Sequence, residues 1–239
     1  MTEVKTLPRH SPLANVKGVA NDARPKIVHE EVYQKLRRAI ISGQLEPGRT
    51  LSVRGLAAEF GVSTMPAREA IRQLVALGAL ELTETRRVSV AQMNEDKLSE
   101  ISEARLALEP ELAARVLTQL KRQSAAREKL AIKLSKIDAT LDRAIERGDS
   151  AAYARYNSEF HFKLYEAAKS PVYLGLVESL WLQIGPFMRV VIGRLGTSSL
   201  VDQHKEAVSA LRADDVTKLT KAIRNDILEG MTNIARTDV

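Results

Sequence analysis

Apolar positions recur along this chain at two different periods, and the change of period marks its organisation. Between residues 53 and 77 they fall at Leu56, Ala57, Phe60, Ile71, Leu74, Val75 and Leu77, the spacing of helices that bury one face. Ser52 and Ser63 stand where a hydroxyl can accept a hydrogen bond from the free amides that open each helix. Gly61 permits the left-handed residue that ends the first helix. Pro66 falls in the first turn of the second, predicted over 64–77, where its missing N–H is not needed. The period then drops to two: Leu80-Glu81-Leu82-Thr83 and Val88-Ser89-Val90 alternate like short strands around Arg86-Arg87. Together with the helix that precedes them, two small helices at a tight turn and a β-ribbon predict a winged helix-turn-helix. Such a unit places its second helix in the DNA major groove.

After a short polar link, Ala91-Gln92-Met93-Asn94, the pattern is helical throughout, over about 95–120, 124–147, 150–168, 172–192, 198–211 and 214–235. The breaks at Gly148-Asp149, Ser170-Pro171, residues 193–197 and Ala213-Asp214 are turn or capping chemistry. Pro110 and Gly185-Pro186 lie inside helical stretches and should kink them. The predicted fold is therefore mostly α. A disordered tail (1–25) and a winged-helix domain (26–91) lead into an all-α antiparallel helical bundle (95–235), a scaffold that builds ligand and metal sites from inward-facing side chains.

Composition narrows the function. The 239 residues are 44% hydrophobic and 28% charged, with no cysteine, which removes disulfides, thiolate metal sites and thiol nucleophiles. No apolar run of about 18 residues exists, so no membrane partner is expected and a cytoplasmic location is. Charge is unevenly placed. Residues 1–91 hold 14 Lys and Arg against 9 Asp and Glu, and the remainder 22 against 21. Nearly all of the +6 thus sits on the half expected to meet phosphates. On the second small helix the polar residues left over near its start are Thr64, Arg68 and Arg72, where side chains reach base edges and arginine can grip guanine through two hydrogen bonds. Arg54, Ser63, Arg86 and Arg87 complete the candidate DNA-binding set. A lone arginine here would be a solvated charge; the order of elements is what favours DNA contact.

These residues carry a resemblance. The runs 39–49 (AIISGQLEPGR), 56–63 (LAAEFGVS) and 66–74 (PAREAIRQL) look like the DNA-binding domain of GntR-family bacterial transcription regulators, and the remainder resembles the FCD effector domain of the FadR subfamily. Thr64 stands where the family usually has arginine, and Arg87 where the wing usually has glycine, so the operator is expected to differ while the binding mode is not.

Several polar residues interrupt the apolar stripes of the second half. At about 100° per residue, Ile101, Arg105, Leu108 and Leu112 share one sector of their helix. A guanidinium there needs an anion, either a protein carboxylate, with Glu109 one turn away, or the carboxylate of a ligand. Similarity to FCD domains, which sense small organic acids, favours the ligand. Tyr153, Asn157, Phe160 and Leu164 form another stripe with His161 on its flank; Asn157 and His161 are four residues apart and can point at one spot. His204 shares a stripe with Leu200, Val208 and Leu211, and Asp226 lies at the edge of the face made by Val216, Ile223 and Ile227, nearer Leu219. Imidazole with carboxylate or amide oxygen suits divalent transition metals. The set resembles the FCD metal pattern, an Asp or Asn four residues before a His and then two later histidines. Asn157, His161 and His204 match, and Asp226 stands where the last histidine is expected. A zinc, nickel or manganese ion is the implied cofactor. The implied function is a transcriptional regulator, a repressor, that binds double-stranded palindromic DNA as a homodimer under control of a small organic acid. An acyl-CoA-type sensor without metal and a metalloenzyme fused to a DNA-binding domain are the alternatives. The chain has no convincing nucleophile–base pair, Gly-rich phosphate loop or cofactor motif for the latter.

Overall fold

A computed structural model of the chain describes residues 25–83, 87–195 and 203–236. Almost all of the expected tail, Arg86, Leu200 and the start of the helix expected over 198–211 lie outside the described residues.

The first half comprises α1 (Pro25–Ile41), β1 (Thr50–Leu51), α2 (Val53–Phe60), α3 (Thr64–Ala76), β2 (Leu80–Leu82) and β3 (Val88–Val90). Ser52 caps α2, its hydroxyl accepting from the Gly55 amide, and Gly61 closes that helix in the left-handed region at φ 63°. Ser63 precedes α3 in extended conformation but its side chain makes no capping hydrogen bond, contrary to expectation. The ribbon is a three-stranded antiparallel sheet in the order β1-β3-β2, with Leu80 opposite Val90 and Leu82 opposite Val88. Its third strand, β1, is too short to show a period and went unpredicted. Leu56, Ala57, Ile71 and Leu74 are buried in one core with Leu36, Ile40 and Leu45 of α1 and the turn after it, while Phe60, Val75 and Leu77 pack at its edge.

Among the described residues six helices follow: α4 (Glu95–Gln119), α5 (Ser124–Glu146), α6 (Ser150–Glu166), α7 (Pro171–Leu195), α8 (Gln203–Ala213) and α9 (Val216–Ala235). Asn94, Asp149 and Asp215 cap α4, α6 and α9 through side-chain oxygens. α4 runs on through Pro110, and α7 through Pro186. Two expectations fail locally. The link before α4 is not simply polar, because Ala91 and Met93 are buried, and Val216, assigned to the inner face of α9, is exposed at its first turn.

The two halves are joined most tightly where α7 crosses α1. A Cβ added to Gly185 would lie 2.6 Å from the Ile41 carbonyl oxygen, so only glycine allows the backbones this close. The Arg37 guanidinium of α1 pairs with Glu178 of α7 and lies over the Phe162 ring.

Candidate metal centre and nucleic-acid interface

The leading turn of α3 projects into solvent. Ser63, Thr64, Met65, Arg68 and Arg72 are exposed, as are Arg54 on α2 and Arg87 beside the wing. α3 turns Ala67, Ala70, Ile71 and Leu74 inward, which leaves Arg68 and Arg72 on the opposite face. Arg72 is engaged within its own helix, Nη2 donating to Glu69 Oε1 at 2.6 Å; Arg68 has no such neighbour-pairing to give up among the contacts described. Met65 was not anticipated. It is 73% exposed, an apolar side chain in the middle of an exposed polar face.

In the bundle, α6, α8 and α9 bring three candidate ligands together. His161, His204 and Asp226 each offer an atom within 4.8 Å of the others. His161 Nε2 stands 3.0 Å from Asp226 Oδ2 and 3.4 Å from His204 Nε2, and His204 Nε2 stands 3.7 Å from Asp226 Oδ1. Both histidines are almost fully buried. The rings are fixed by packing: His204 stacks on Phe160 with centroids 4.0 Å apart, and His161 lies against Trp181. Asn157, one turn before His161, is buried on the same helix.

Hydrogen bonding decides which nitrogens carry protons. Tyr165 Oη donates to Glu109 Oε2 at 2.7 Å, which leaves the phenol oxygen as an acceptor for His161 Nδ1, 3.1 Å away. Burial first, and the nearby Glu109 carboxylate second, hold the Tyr165 hydroxyl well above its usual range, so it remains a neutral donor. A neutral His161 protonated on Nδ1 presents a bare Nε2 to the Asp226 carboxylate. His204 also has a partner on that side of its ring, Asp138 Oδ1 lying 3.3 Å from its Nδ1, although no hydrogen bond joins them. With both rings neutral and protonated on Nδ1, two imidazole lone pairs and a carboxylate would face one another, an acceptor-only cluster that only a cation, an added proton or a metal ion, makes favourable. Burial opposes the charge on Asp226, but His161 when protonated and donating to the carboxylate, with His204 and Arg105, holds its carboxyl down at about 2, so in the absence of an ion a proton can serve as the cation of the cluster. The donor set fits a divalent ion. Ligands about 2.1 Å from a tetrahedral zinc stand roughly 3.4 Å from one another, and imidazole NH groups held from outside are the usual support.

Arg105 has found a protein carboxylate. Its Nε donates to Glu109 Oε1 at 2.6 Å, and the carboxylate also accepts from Trp181 Nε1 at 3.1 Å. The guanidinium lies over the Trp181 ring, and among the described residues its Nη1 reaches only the Met231 thioether, at 3.5 Å. A thioether is a weak acceptor, so this edge of the fork is under-used. Met231 in turn lines a cavity of about 400 Å³ between the start of α4 and the end of α9, with Leu98, Ser102 and Leu228. One hydrogen-bonded chain thus runs from Arg105 through Glu109 and Tyr165 to His161. Tyr165 within it, and Trp181, which donates to Glu109 beside it, gave no sequence signal apart from being polar-tipped aromatics at inward positions.

Residues 28–90 match the family model of bacterial regulatory proteins of the gntR family, and residues 100–229 match the FCD domain. Over 188 residues the chain is 27% identical to the HTH-type transcriptional regulator McbR of Escherichia coli, covering 77% of this chain and 82% of that protein. It is also 27% identical to the gluconate operon transcriptional repressor of Bacillus subtilis, covering 77% of this chain and 75% of that one. The solved structure of Escherichia coli McbR/YncC superposes with a TM-score of 0.77 at 23% identity, covering 87% of this chain and 97% of that structure.

Proposed function

Because the chain belongs to the GntR family of bacterial transcription regulators and carries an FCD domain, we propose that it is a repressor whose grip on DNA is set by a small organic acid bound beside a metal ion. In this reading residues 26–91 form the DNA-binding domain. Arg68 and Thr64 read base edges, Arg72 contributes once it leaves Glu69, and Ser63, Arg54, Arg86 and Arg87 hold the backbone and the groove beside it. A homodimer would present two such helices to a palindrome whose half-sites lie about 34 Å apart. The protein works in the cytoplasm, where that DNA is.

Residues 95–235 form the sensor. Asn157, His161, His204 and Asp226 would hold zinc, nickel or manganese, and a bound ion would supply a Lewis-acid anchor for a carboxylate. Arg105 supplies the second anchor by turning its under-used edge to the acid, which enters past Met231. Competition for Arg105 would loosen Glu109 and with it the Trp181 contact. Trp181 lies one turn from both Glu178 and Gly185, the α7 residues that meet α1, so a change at the sensor reaches the DNA-binding half along a single helix. A ligand shifts that balance only by binding the two arrangements differently.

The observation that carries the sensor reading is the convergence of His161 Nε2 and His204 Nε2 on the Asp226 carboxylate. The experiment is metal analysis of protein purified without chelator: about one divalent ion per chain is expected, lost in His161→Ala. Absence of a stoichiometric ion from the wild type would overturn it.

A further inference from the structure

The bundle holds a second buried carboxylate next to the candidate metal centre that the ligand set does not use. Asp138 of α5 is 4% exposed, and its Oδ1 accepts no hydrogen bond although it lies 3.3 Å from His204 Nδ1. A buried carboxylate oxygen without a donor is costly, so its position calls for a reason. We propose that Asp138 is a positioning residue for the metal centre, holding His204 in the tautomer and ring orientation that aim Nε2 at the ion.

Three observations converge on this. The Phe160 ring stacked on His204 fixes the plane of the imidazole, leaving rotation within that plane as its remaining freedom. Nε2 is the nitrogen nearest His161 and Asp226, and Nδ1 is the nitrogen nearest Asp138, so the two edges of the ring face different partners. The pair is close enough to bond but is not aligned. A small in-plane rotation that draws Nε2 toward a shared ion would bring Nδ1–H onto Oδ1, so that binding completes the bond. His161 has its own outer partner in Tyr165, which makes Asp138 the matching support on the other side. A carboxylate accepting from the far N–H also raises the basicity of the ligating nitrogen.

The inference rests on the metal reading, and its test separates the two. Zinc affinity of the full-length protein is measured by competition with a chromogenic chelator, and the ring protons of zinc-loaded, 15N-labelled protein by NMR. Asp138→Ala should weaken zinc binding about 10–100-fold. Asp138→Asn, which keeps a neutral acceptor, should lose several-fold while His204 stays protonated on Nδ1. Wild-type affinity in both variants, or a wild-type His204 ligating through Nδ1, would overturn the assignment while leaving the metal site standing. Should Asp138→Ala fail to fold, Asp138→Asn decides by the same two readouts, wild-type affinity overturning the role. A wild-type protein that binds no zinc would instead remove the metal reading and this role with it.

Discussion

Arg105 and Glu109 place opposite charges in almost complete burial, and the environment is built around the anion rather than the cation. Glu109 accepts from Arg105, Tyr165 and Trp181 together. Removing one member of a buried pair leaves the other uncompensated, a loss of about 3–5 kcal/mol. Glu109→Ala should therefore lower unfolding stability in urea by that amount, whereas replacing both partners with leucine should cost much less; equal costs would show that the pair is not the unit. The inward guanidinium was legible from helical spacing alone, but its partner was not, because a ligand and a protein carboxylate satisfy the same stripe. At the other end of the molecule, Arg68 stands exposed on the face of α3 opposite its buried alanines. Arg68→Ala should weaken operator binding by about 1–3 kcal/mol and relax preference at one operator position, read by fluorescence anisotropy on an operator series. Arg72→Ala should do less, since its guanidinium is already engaged by Glu69. Unchanged affinity for Arg68→Ala would refute the placement of α3 in the groove.

Among the elements, α7 has the most consequences for function, and its key residue is one without a side chain. Gly185 lets α7 rest on the end of α1, with the Ile41 carbonyl oxygen where a methyl group would go. Gly185→Ala must push backbone against backbone. The expected loss is about 1–3 kcal/mol, the usual scale of overpacking, which for a chain of this size lowers Tm by roughly 2–12 °C. If α7 is the link between sensor and reader, the variant should also change operator affinity at a temperature where it remains folded; a drop in Tm with unaltered DNA binding would confine Gly185 to packing. Gly185-Pro186 reads in the sequence as a helix irregularity, and nothing local says that another backbone passes there. The same limit explains β1, since a two-residue strand carries no period and exists through its pairing with β3. The long helices were legible because they repeat an apolar face over several turns, and α4, α6 and α9 also open at capping residues, Asn94, Asp149 and Asp215.

The whole molecule separates its charge from its chemistry. The first 91 residues carry almost all of the net +6, while the bundle is nearly neutral and keeps its ionisable cluster inside. Asn157, His161, His204 and Asp226 could be picked out as inward polar residues on three helices, and the structure brings His161, His204 and Asp226 within reach of one ion. Asp138 could not be picked out, because its neighbour His204 is 66 positions away and only the packing of α5 on α8 joins them. This partition sets how the two activities should respond to salt. Phosphate contacts release condensed counterions, so a dimer neutralising about 6–10 phosphates should lose roughly 10³–10⁵ in operator affinity between about 50 and 200 mM salt. A buried metal cluster is shielded by protein and is screened far less. Zinc affinity measured by chelator competition should hold nearly constant over the range in which DNA affinity collapses. A flat salt dependence of operator binding would mean that the basic half does not meet the phosphate backbone. Parallel loss of both affinities would mean that the ion sits where solvent and DNA reach it, not in the bundle core.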